Sequence, residues 1–155
     1  MKDSEDLYRI LIAPTDIVLT AEQIAVTAIT HSETIGMSVL RQSAENAEFQ
    51  KIISERTARE GREFFGIIRL KCGEVRSLAS VADAPGRKAG DRHYIVLDTD
   101  MAGLPNHADI FNTVPRSDSE KPTSNKKVWR RERDKLLSLA NENILRRDSF
   151  RGGQL

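Results

Sequence analysis

The segment at residues 93–98, HYIVLD, constrains the fold more than any other part of the sequence. Aromatic and β-branched residues favour strands, and the unbroken apolar run of Ile95, Val96 and Leu97 is typical of a strand that is buried on both faces. We therefore predict a central strand at residues 93–98. Residues 107–111, HADIF, are predicted to return beside it as an antiparallel neighbour.

A further strand is predicted at residues 63–72, EFFGIIRLKC, which are rich in aromatic and β-branched side chains. The second half of this segment alternates, with Ile68, Leu70 and Cys72 on one side of the strand. After the turn residue Gly73, a short second strand is predicted at residues 74–78.

Two helices are predicted before these strands. Residues 20–30 begin with Thr20 and Gln23 at capping-box spacing, and residues 44–59 carry apolar side chains on one face. The predicted fold class is therefore α+β, in which a small, mostly antiparallel sheet from residues 63–111 packs against the helices.

Residues 126–147 are predicted to form a basic, amphipathic helix. Its apolar side chains fall within about 100° of one another on a helical wheel, a normal width for a buried face, and Arg133 lies in their middle. An isolated helix of this length is marginal in water, so this face must be covered by the rest of the chain or by another chain. The apolar side chains of the face are Trp129, Leu136, Leu137, Ala140 and Ile144.

The region before this helix has the composition of a linker. Residues 113–125 contain two prolines and almost no apolar side chain. The last residues, SFRGGQL, are expected to fray. The predicted organisation is a compact α+β domain at residues 1–112, a linker at 113–125, the basic helix at 126–147 and a flexible tail at 148–155.

Charge is distributed unevenly along the chain. The net charge of +1 is the sum of −4 in residues 1–112 and +5 in residues 113–155. A basic segment attached to an acidic body can contact an acidic partner, nucleic acid or the body itself. The sequence contains no apolar run long enough to span a membrane, and its first residues, MKDSEDLYR, are unlike a secretory signal, so we expect a soluble, cytoplasmic protein.

These features favour a non-catalytic interaction or regulatory subunit. It would associate with a protein partner, or with a second copy of itself as a homo-oligomer, through the basic C-terminal helix. The side chains expected to contact the partner are Trp129, Arg130, Arg133, Leu136, Leu137, Ala140 and Ile144. Nucleic acid is the other partner class that this helix suits, because phosphates attract clustered bases. The bases concerned are Lys126, Lys127, Arg130 and Arg131.

The alternative function is a small metal-dependent hydrolase of the phosphoester type. Asp98 and Asp100 follow a predicted strand, and carboxylates in such positions can converge on a hard cation such as Mg²⁺. His107 and Asp109 are two residues apart, so on a strand they share one face and suit Mn²⁺ or Zn²⁺. If the two strands form a hairpin, the four side chains lie near one end of the sheet. A divalent metal ion bound there could activate water for hydrolysis.

Cys72 is a weaker catalytic candidate. A cysteine nucleophile needs a base within hydrogen-bond reach, and His93 and His107 are the candidate bases. Cys72 shares the side of its predicted strand with apolar residues, which favours a structural role in the core.

Overall fold

The structure, a computed structural model, describes residues 1–30, 36–79, 90–112 and 126–147, and side chains in the last range from residue 131 onward. Helices and strands alternate irregularly along the chain. In chain order they are β1 (Asp6–Ala13), β2 (Ile17–Val18), β3 (Gln23–Ile24), α1 (Thr27–Thr30), β4 (Met37–Arg41), α2 (Asn46–Thr57), β5 (Glu63–Lys71), α3 (Cys72–Ser77), β6 (Tyr94–Asp98), β7 (His107–Asn112), α4 (Lys126–Glu142) and β8 (Ile144–Arg146).

An antiparallel sheet organises the described part of the chain. Its six strands are arranged in the order β6-β7-β4-β1-β5-β8, and β2 and β3 form a separate hairpin. The longest pairing joins β1 to β5, with Asp6 opposite Lys71 and Ala13 opposite Glu63. This arrangement of one antiparallel sheet with helices confirms the predicted α+β class.

Apolar side chains cover both faces of the sheet. Leu7 and Leu11 of β1 belong to one buried cluster, together with side chains from α1, α3 and α4. Ile10 and Ile12 of the same strand belong to a second cluster, in which Phe49 of α2 is buried. Because successive side chains of a strand point to opposite faces, β1 contributes to both clusters. The sheet therefore lies between α2 on one side and the other helices on the other.

The predicted helix at residues 20–30 is wrong for most of its length. The hairpin of β2 and β3 precedes α1, which is only four residues long. Ile17 and Ile24 pair across the hairpin and are both buried. The backbone N–H of Ile24 donates to the side-chain oxygen of Asn141 on α4 at 2.9 Å. Contacts with another element, rather than helix propensity, therefore decide the conformation here.

The predicted strand at residues 74–78 is also wrong, because helix α3 covers most of it. Cys72 and Val75 are three residues apart and are both fully buried, so they share the inner face of this helix. The backbone N–H of Leu78 donates to the carbonyl of Val75 at 3.3 Å and ends the helix. Five residues were too few for the sequence pattern to separate a strand from a short helix.

The strand predicted at residues 93–98 is confirmed as β6, and its antiparallel pairing with β7 is confirmed as well. Its predicted central position is wrong, because β6 lies at one end of the strand order in the described part of the sheet. Ile95 and Leu97 are consequently 38% and 44% exposed, although Val96 is buried. The centre is occupied instead by β1 and β4.

The C-terminal helix is shorter than predicted. It ends at Glu142, and residues Ile144–Arg146 form strand β8, which pairs with β5 at the far edge of the sheet. The backbone N–H of Asn143 donates to the carbonyl of Ala140 at 3.1 Å, and its own carbonyl accepts from the N–H of Arg69 at 3.0 Å. The helix therefore ends where Asn143 takes up the pairing with β5.

Glycine is needed where β8 meets β5. A Cβ atom at Gly66 would lie 2.4 Å from the carbonyl oxygen of Leu145, closer than any side chain tolerates.

The predicted linker at residues 113–125 and the predicted tail at residues 148–155 lie outside the described residues, so both stay predictions.

We expect Leu136→Ala to lower the free energy of unfolding by about 2–5 kcal/mol, because it leaves a cavity under α4. Leu136 is fully buried in the cluster that also contains Leu7 and Leu11. Urea denaturation measures the loss, and Ser138→Ala, at an exposed position of the same helix, is the control. Equal effects of the two substitutions would show that α4 does not contribute to the core.

Candidate functional site

His107 and Asp109 lie together on β7, as their spacing predicted. Oδ2 of Asp109 lies 3.9 Å from Nδ1 of His107. Thr99 connects the two side chains, since its hydroxyl lies 3.0 Å from Nδ1 of His107 and donates to Oδ2 of Asp109 at 2.8 Å. On the other side of the ring, Nε2 of His107 lies 2.5 Å from the hydroxyl of Ser38 on β4. Both ring nitrogens therefore already contact protein groups.

Asp98 lies on the opposite face of the sheet. It pairs with Ala108 across the hairpin, and directly paired residues share a face, whereas His107 and Asp109 flank Ala108 and point the other way. The carboxylate of Asp98 binds Nη1 of Arg41 at 2.6 Å. Asp98 therefore joins β6 to β4 through an ion pair.

The four predicted metal ligands do not come together. Asp100 is exposed beyond the end of β6, and Asp98 is directed away from the imidazole of His107. Within residues 1–30, 36–79, 90–112 and 126–147, no three His, Cys, Asp or Glu side chains form a group that could hold a metal ion. The hairpin was predicted correctly, but its register separates the carboxylates.

The side chains of Ser38, Thr99, His107 and Asp109 form a hydrogen-bonded polar cluster between three segments of the chain. The His107 side chain is only 3% exposed and that of Asp109 15%. Buried polar groups must be hydrogen-bonded to avoid the cost of desolvation, and these contacts meet that requirement. The cluster fixes the positions of β4, β7 and the turn after β6.

Arg9 of β1 is a buried cation near this cluster. Its residue surface is 8% exposed, and its Nη1 donates to the carbonyl of Ser38 at 2.8 Å. Burial and the neighbouring charge of Arg56 lower the pKa of Arg9 to about 10, against the opposing charges of Asp16 and Asp109. Arg56 itself binds Oδ2 of Asp16 at 2.6 Å. The two arginines and two aspartates balance in charge, so this region shows no excess that would recruit an ion.

Asp6 forms a second buried ionic cluster, at the start of β1. Its side chain is 3% exposed, and its carboxylate lies 2.6 Å from both Nη2 of Arg69 and Nζ of Lys71. Burial raises the pKa of Asp6, but hydrogen bonds and charge from Arg69 and Lys71 outweigh it, and the net pKa is lowered. Burial and the charge of Asp6 raise the pKa of the neighbouring Tyr8 hydroxyl.

A cleft of about 220 Å³ lies beside this cluster. Ligand pockets for drug-sized molecules and cofactors are usually about 300–1,000 Å³, so this one is small for such a ligand. Its lining is almost equally polar and apolar, and a tyrosine, an amide and a guanidinium are among the polar groups. The lining residues are Tyr8, Gln42, Ala44, Phe49, Ile67, Arg69 and Leu145.

The predicted partner-binding side chains divide into buried and partly exposed groups. Leu136 and Ala140 are fully buried in the chain's own core. Leu137 and Ile144 are partly buried against the same cluster, and Ile144 lies in β8 rather than in the helix. Arg133 is 21% exposed and lies 3.4 Å from Asp134. The side chains of Trp129 and Arg130, like those of Lys126 and Lys127, lie outside the description.

The inner face of α4 contains Glu132, which the sequence analysis did not place there. Glu132 is fully buried, four residues before Leu136 and eight before Ala140. Its carboxylate lies 3.7 Å from Nδ1 of His93, and its carbonyl accepts from the Tyr94 hydroxyl at 3.4 Å. The regular spacing of four residues was visible in the sequence, but an acidic residue is rarely assigned to a core.

The outer flank of α4 borders an open cleft of about 680 Å³. Leu78 after α3 and Leu139 of α4 supply apolar side chains, and both rest partly on the core beneath. Lys135, which also lines the cleft, reaches from α4 and donates to the carbonyl of Ala79. The lining residues are Leu78, Arg131, Asp134, Lys135, Ser138, Leu139 and Glu142.

Cys72 is placed in the core, as its apolar neighbours suggested. It is fully buried at the start of α3, and burial raises the pKa of its thiol. His93 lies against Glu132 and Asn112, and His107 lies in the polar cluster. These contacts do not prepare Cys72 as a nucleophile, because a reactive thiol needs a lowered pKa.

Among the helices in the described ranges, none combines the length and apolar character needed to cross a membrane. Comparisons of the chain with protein-family models, curated proteins and solved structures found no match. The function proposed below is therefore argued from the residues and contacts of this chain.

We expect the free energy of unfolding to fall as the pH is lowered below about 4, where carboxylates with depressed pKa values become protonated. In the folded chain the pKa of Asp6 lies below its ordinary value of 3.8. The ionised Asp6 carboxylate therefore stabilises the fold fully at pH values above the ordinary pKa. The effect is lost as the pH falls through the lowered folded-state pKa. Asp6→Asn should weaken this pH dependence, as measured by urea denaturation across the acid range.

Asp100→Asn is the control for Asp6→Asn, because it is the same exchange at an exposed aspartate, beyond the end of β6. It should leave the acid-range profile close to that of the wild type. If the free energy of unfolding of Asp6→Asn depended on pH as it does in the wild type, the role assigned to the Asp6 cluster would be contradicted.

Proposed function

We propose that this protein is an interaction or regulatory subunit and that the outer flank of α4 binds a protein partner. The observation that supports this proposal is the open cleft along α4, which is lined by two leucine side chains and by charged side chains of both signs. Apolar pockets with a polar rim are typical of the contact regions between proteins.

A fixed helix makes a better binding surface than a flexible one, because less conformational entropy is lost on binding. Leu136 and Ala140 hold α4 against the sheet with no exposed surface of their own. In this proposal Leu136 and Ala140 anchor the helix. The partner is contacted by residues that line the cleft, namely Arg131, Ser138 and Leu139.

Charge favours a protein partner over nucleic acid at the cleft. Arg131 and Lys135 line it together with Asp134 and Glu142, so both signs of charge are present. Nucleic-acid sites instead collect positive charge along a phosphate backbone. The sequence at the start of α4, residues 126–131, is rich in lysine and arginine, so we propose a partner segment with an apolar side chain for the cleft and with acidic residues beside it.

The single cysteine of the chain is buried and free, which suits a reducing compartment such as the cytoplasm. We therefore propose that the partner is met there.

No specific observation favours the metal-dependent hydrolase as a second function. Asp98 is paired with Arg41, and His107 contacts Ser38 and Thr99. A metal ion would have to replace these contacts before it could bind.

Point variants test the proposal better than removal of α4. Deleting residues 126–155 would remove Leu136 and Ala140 from the core and β8 from the sheet, so the remaining chain would lose stability as well. Ser138→Arg places a large charged side chain in the cleft from an exposed position. Glu55→Arg, which also introduces an arginine at an exposed helix position, here in α2, is the control.

We expect the wild-type chain and Glu55→Arg to retain the same protein from a cell extract, and Ser138→Arg to lose it. Binding of the purified partner should then weaken at least about tenfold in Ser138→Arg, measured by calorimetry. Equal binding by all three chains would contradict the proposal. Retention of nucleic acid alone, abolished by nuclease, would contradict it as well.

A further inference from the structure

The cleft of about 220 Å³ beside the Asp6 cluster lies on the face of the sheet that carries α2, whereas α4 packs on the other face. Three strands form its floor. Tyr8 of β1 pairs with Arg69 of β5, and Ile67 of β5 pairs with Leu145 of β8. Directly paired residues share a face of a sheet, and so do residues two apart on one strand. The register therefore brings these four side chains to one side of the sheet, beneath the start of α2.

The start of α2 forms the wall of the cleft. Ala44, just before the helix, and Phe49 within it both line the cleft. The rings of Tyr8 and Phe49 pack edge to face, with their centroids 5.7 Å apart. This contact holds both rings in place, because aromatic pairs in this geometry stabilise one another beyond the effect of burial. A ligand would therefore meet an aromatic wall that is already formed.

Arg69 is held at one edge of its guanidinium. Its Nε and Nη2 both donate to Oδ2 of Asp6, at 3.0 and 2.6 Å. The Asp6 side chain is only 3% exposed, so this anchor belongs to the folded core, whereas the Arg69 side chain is 50% exposed. The bonds to Asp6 leave Nη1 and the second N–H of Nη2 for another acceptor. Arg69 thus presents an oriented pair of donors at the cleft.

Gln42 is oriented by the same residue. Its Oε1 accepts from the backbone N–H of Asp6 at 3.2 Å. A backbone N–H can only donate, so the side-chain atom that faces it is the oxygen, and the Nε2 group keeps its two N–H donors for other acceptors. Gln42 and Arg69 both line the cleft and both bind Asp6, so their donors lie at the same end of it.

The charge at this end of the cleft suits a single anion. Arg69 and Lys71 share the one carboxylate of Asp6, so the three side chains together carry one positive charge. A carboxylate carries one negative charge, and its two oxygens match two parallel N–H donors of a guanidinium. A phosphate monoester carries nearly two negative charges, which this cluster would not balance.

The other end of the cleft is apolar. Ile67 precedes Arg69 by two residues on β5, which is about 7 Å along a strand, and Leu145 lies beside Ile67. A carboxylate at Arg69 would therefore be joined by a short chain to an apolar group at Ile67. The volume is below the range usual for drug-sized ligands, so the apolar group is limited to about one ring.

We propose that this cleft binds a small monocarboxylate with an apolar body. Arg69 and Gln42 donate to the carboxylate. The apolar body contacts Phe49, Ile67 and Leu145. A free arylalkyl carboxylic acid presents this chemistry, and so does the C-terminal residue of a peptide that ends in an apolar side chain. The site is independent of the partner proposed for α4, because the two clefts lie on opposite faces of the sheet.

Titration of the isotope-labelled full-length chain with phenylpropanoate, followed by NMR, tests the proposal. We expect saturable binding with a Kd of about 1 mM or below, and shifts of the Gln42 side-chain amide and the Arg69 Nε–H resonances. Phenylpropanamide has the same shape without the charge and should bind at least about tenfold more weakly. Acetate, which lacks the apolar body, and inorganic phosphate should be at least as weak.

Two substitutions test the two ends of the cleft separately. Ala44→Phe fills the cleft without removing a charged side chain, so it should weaken phenylpropanoate binding at least about tenfold. The matched control is Ala47→Phe, the same exchange at an exposed position of α2. Arg69→Lys keeps a cation beside Asp6 but lacks the second edge of donors. It should weaken the binding of phenylpropanoate and leave that of phenylpropanamide unchanged.

A short peptide that ends in phenylalanine with a free carboxylate distinguishes the two sources of the ligand. Tighter binding of this peptide than of phenylpropanoate, lost when the peptide is amidated, would support a protein C-terminus. Binding of phenylpropanoate but not of the peptide would support a free acid. The proposal is overturned if phenylpropanoate does not bind saturably, if phenylpropanamide binds equally well, if phosphate binds more tightly, or if Ala44→Phe binds like the wild type.

Discussion

The antiparallel ladder between β1 and β5 is the interaction on which the other elements depend. It extends from Asp6 opposite Lys71 to Ala13 opposite Glu63 and carries apolar side chains on both faces. Helices on either side have a surface to pack against only once this ladder has formed. The ionic cluster around Asp6 closes one end of it, since Arg69 and Lys71 of β5 bind a carboxylate of β1.

Segments with a long, regular pattern were predictable from the sequence, whereas segments decided by distant contacts were not. Helix α2 and strands β5, β6 and β7 were identified because each carries a periodicity of its own over several residues. In the hairpin of Ile17 and Ile24, the backbone N–H of Ile24 donates to the side-chain oxygen of Asn141, more than a hundred residues away. The central position of β1 was hidden for a similar reason, because a short apolar run does not reveal its neighbours.

The candidate sites show the same division. Two-residue spacing correctly placed His107 and Asp109 on one face of β7, but it contained no information on the register that turns Asp98 to the other face. On α4 the predicted buried face had Arg133 in its middle. The side chains that are fully buried are instead those of Glu132, Leu136 and Ala140. That face was predicted from apolar side chains alone, and this pattern cannot indicate a buried glutamate that lies beside His93, the residue before β6.

The position of β8 has a consequence for how the chain matures on the ribosome. Residues Ile144–Arg146 form an outer strand against β5, a segment that is synthesised some seventy-five residues earlier. Until they emerge, the nascent chain presents β5 with one unpaired edge and a face that still lacks α4. Long-range pairing of this kind slows folding and exposes strand edges in the interval, so a chaperone that shields β5 would be of most use before residue 146 is made.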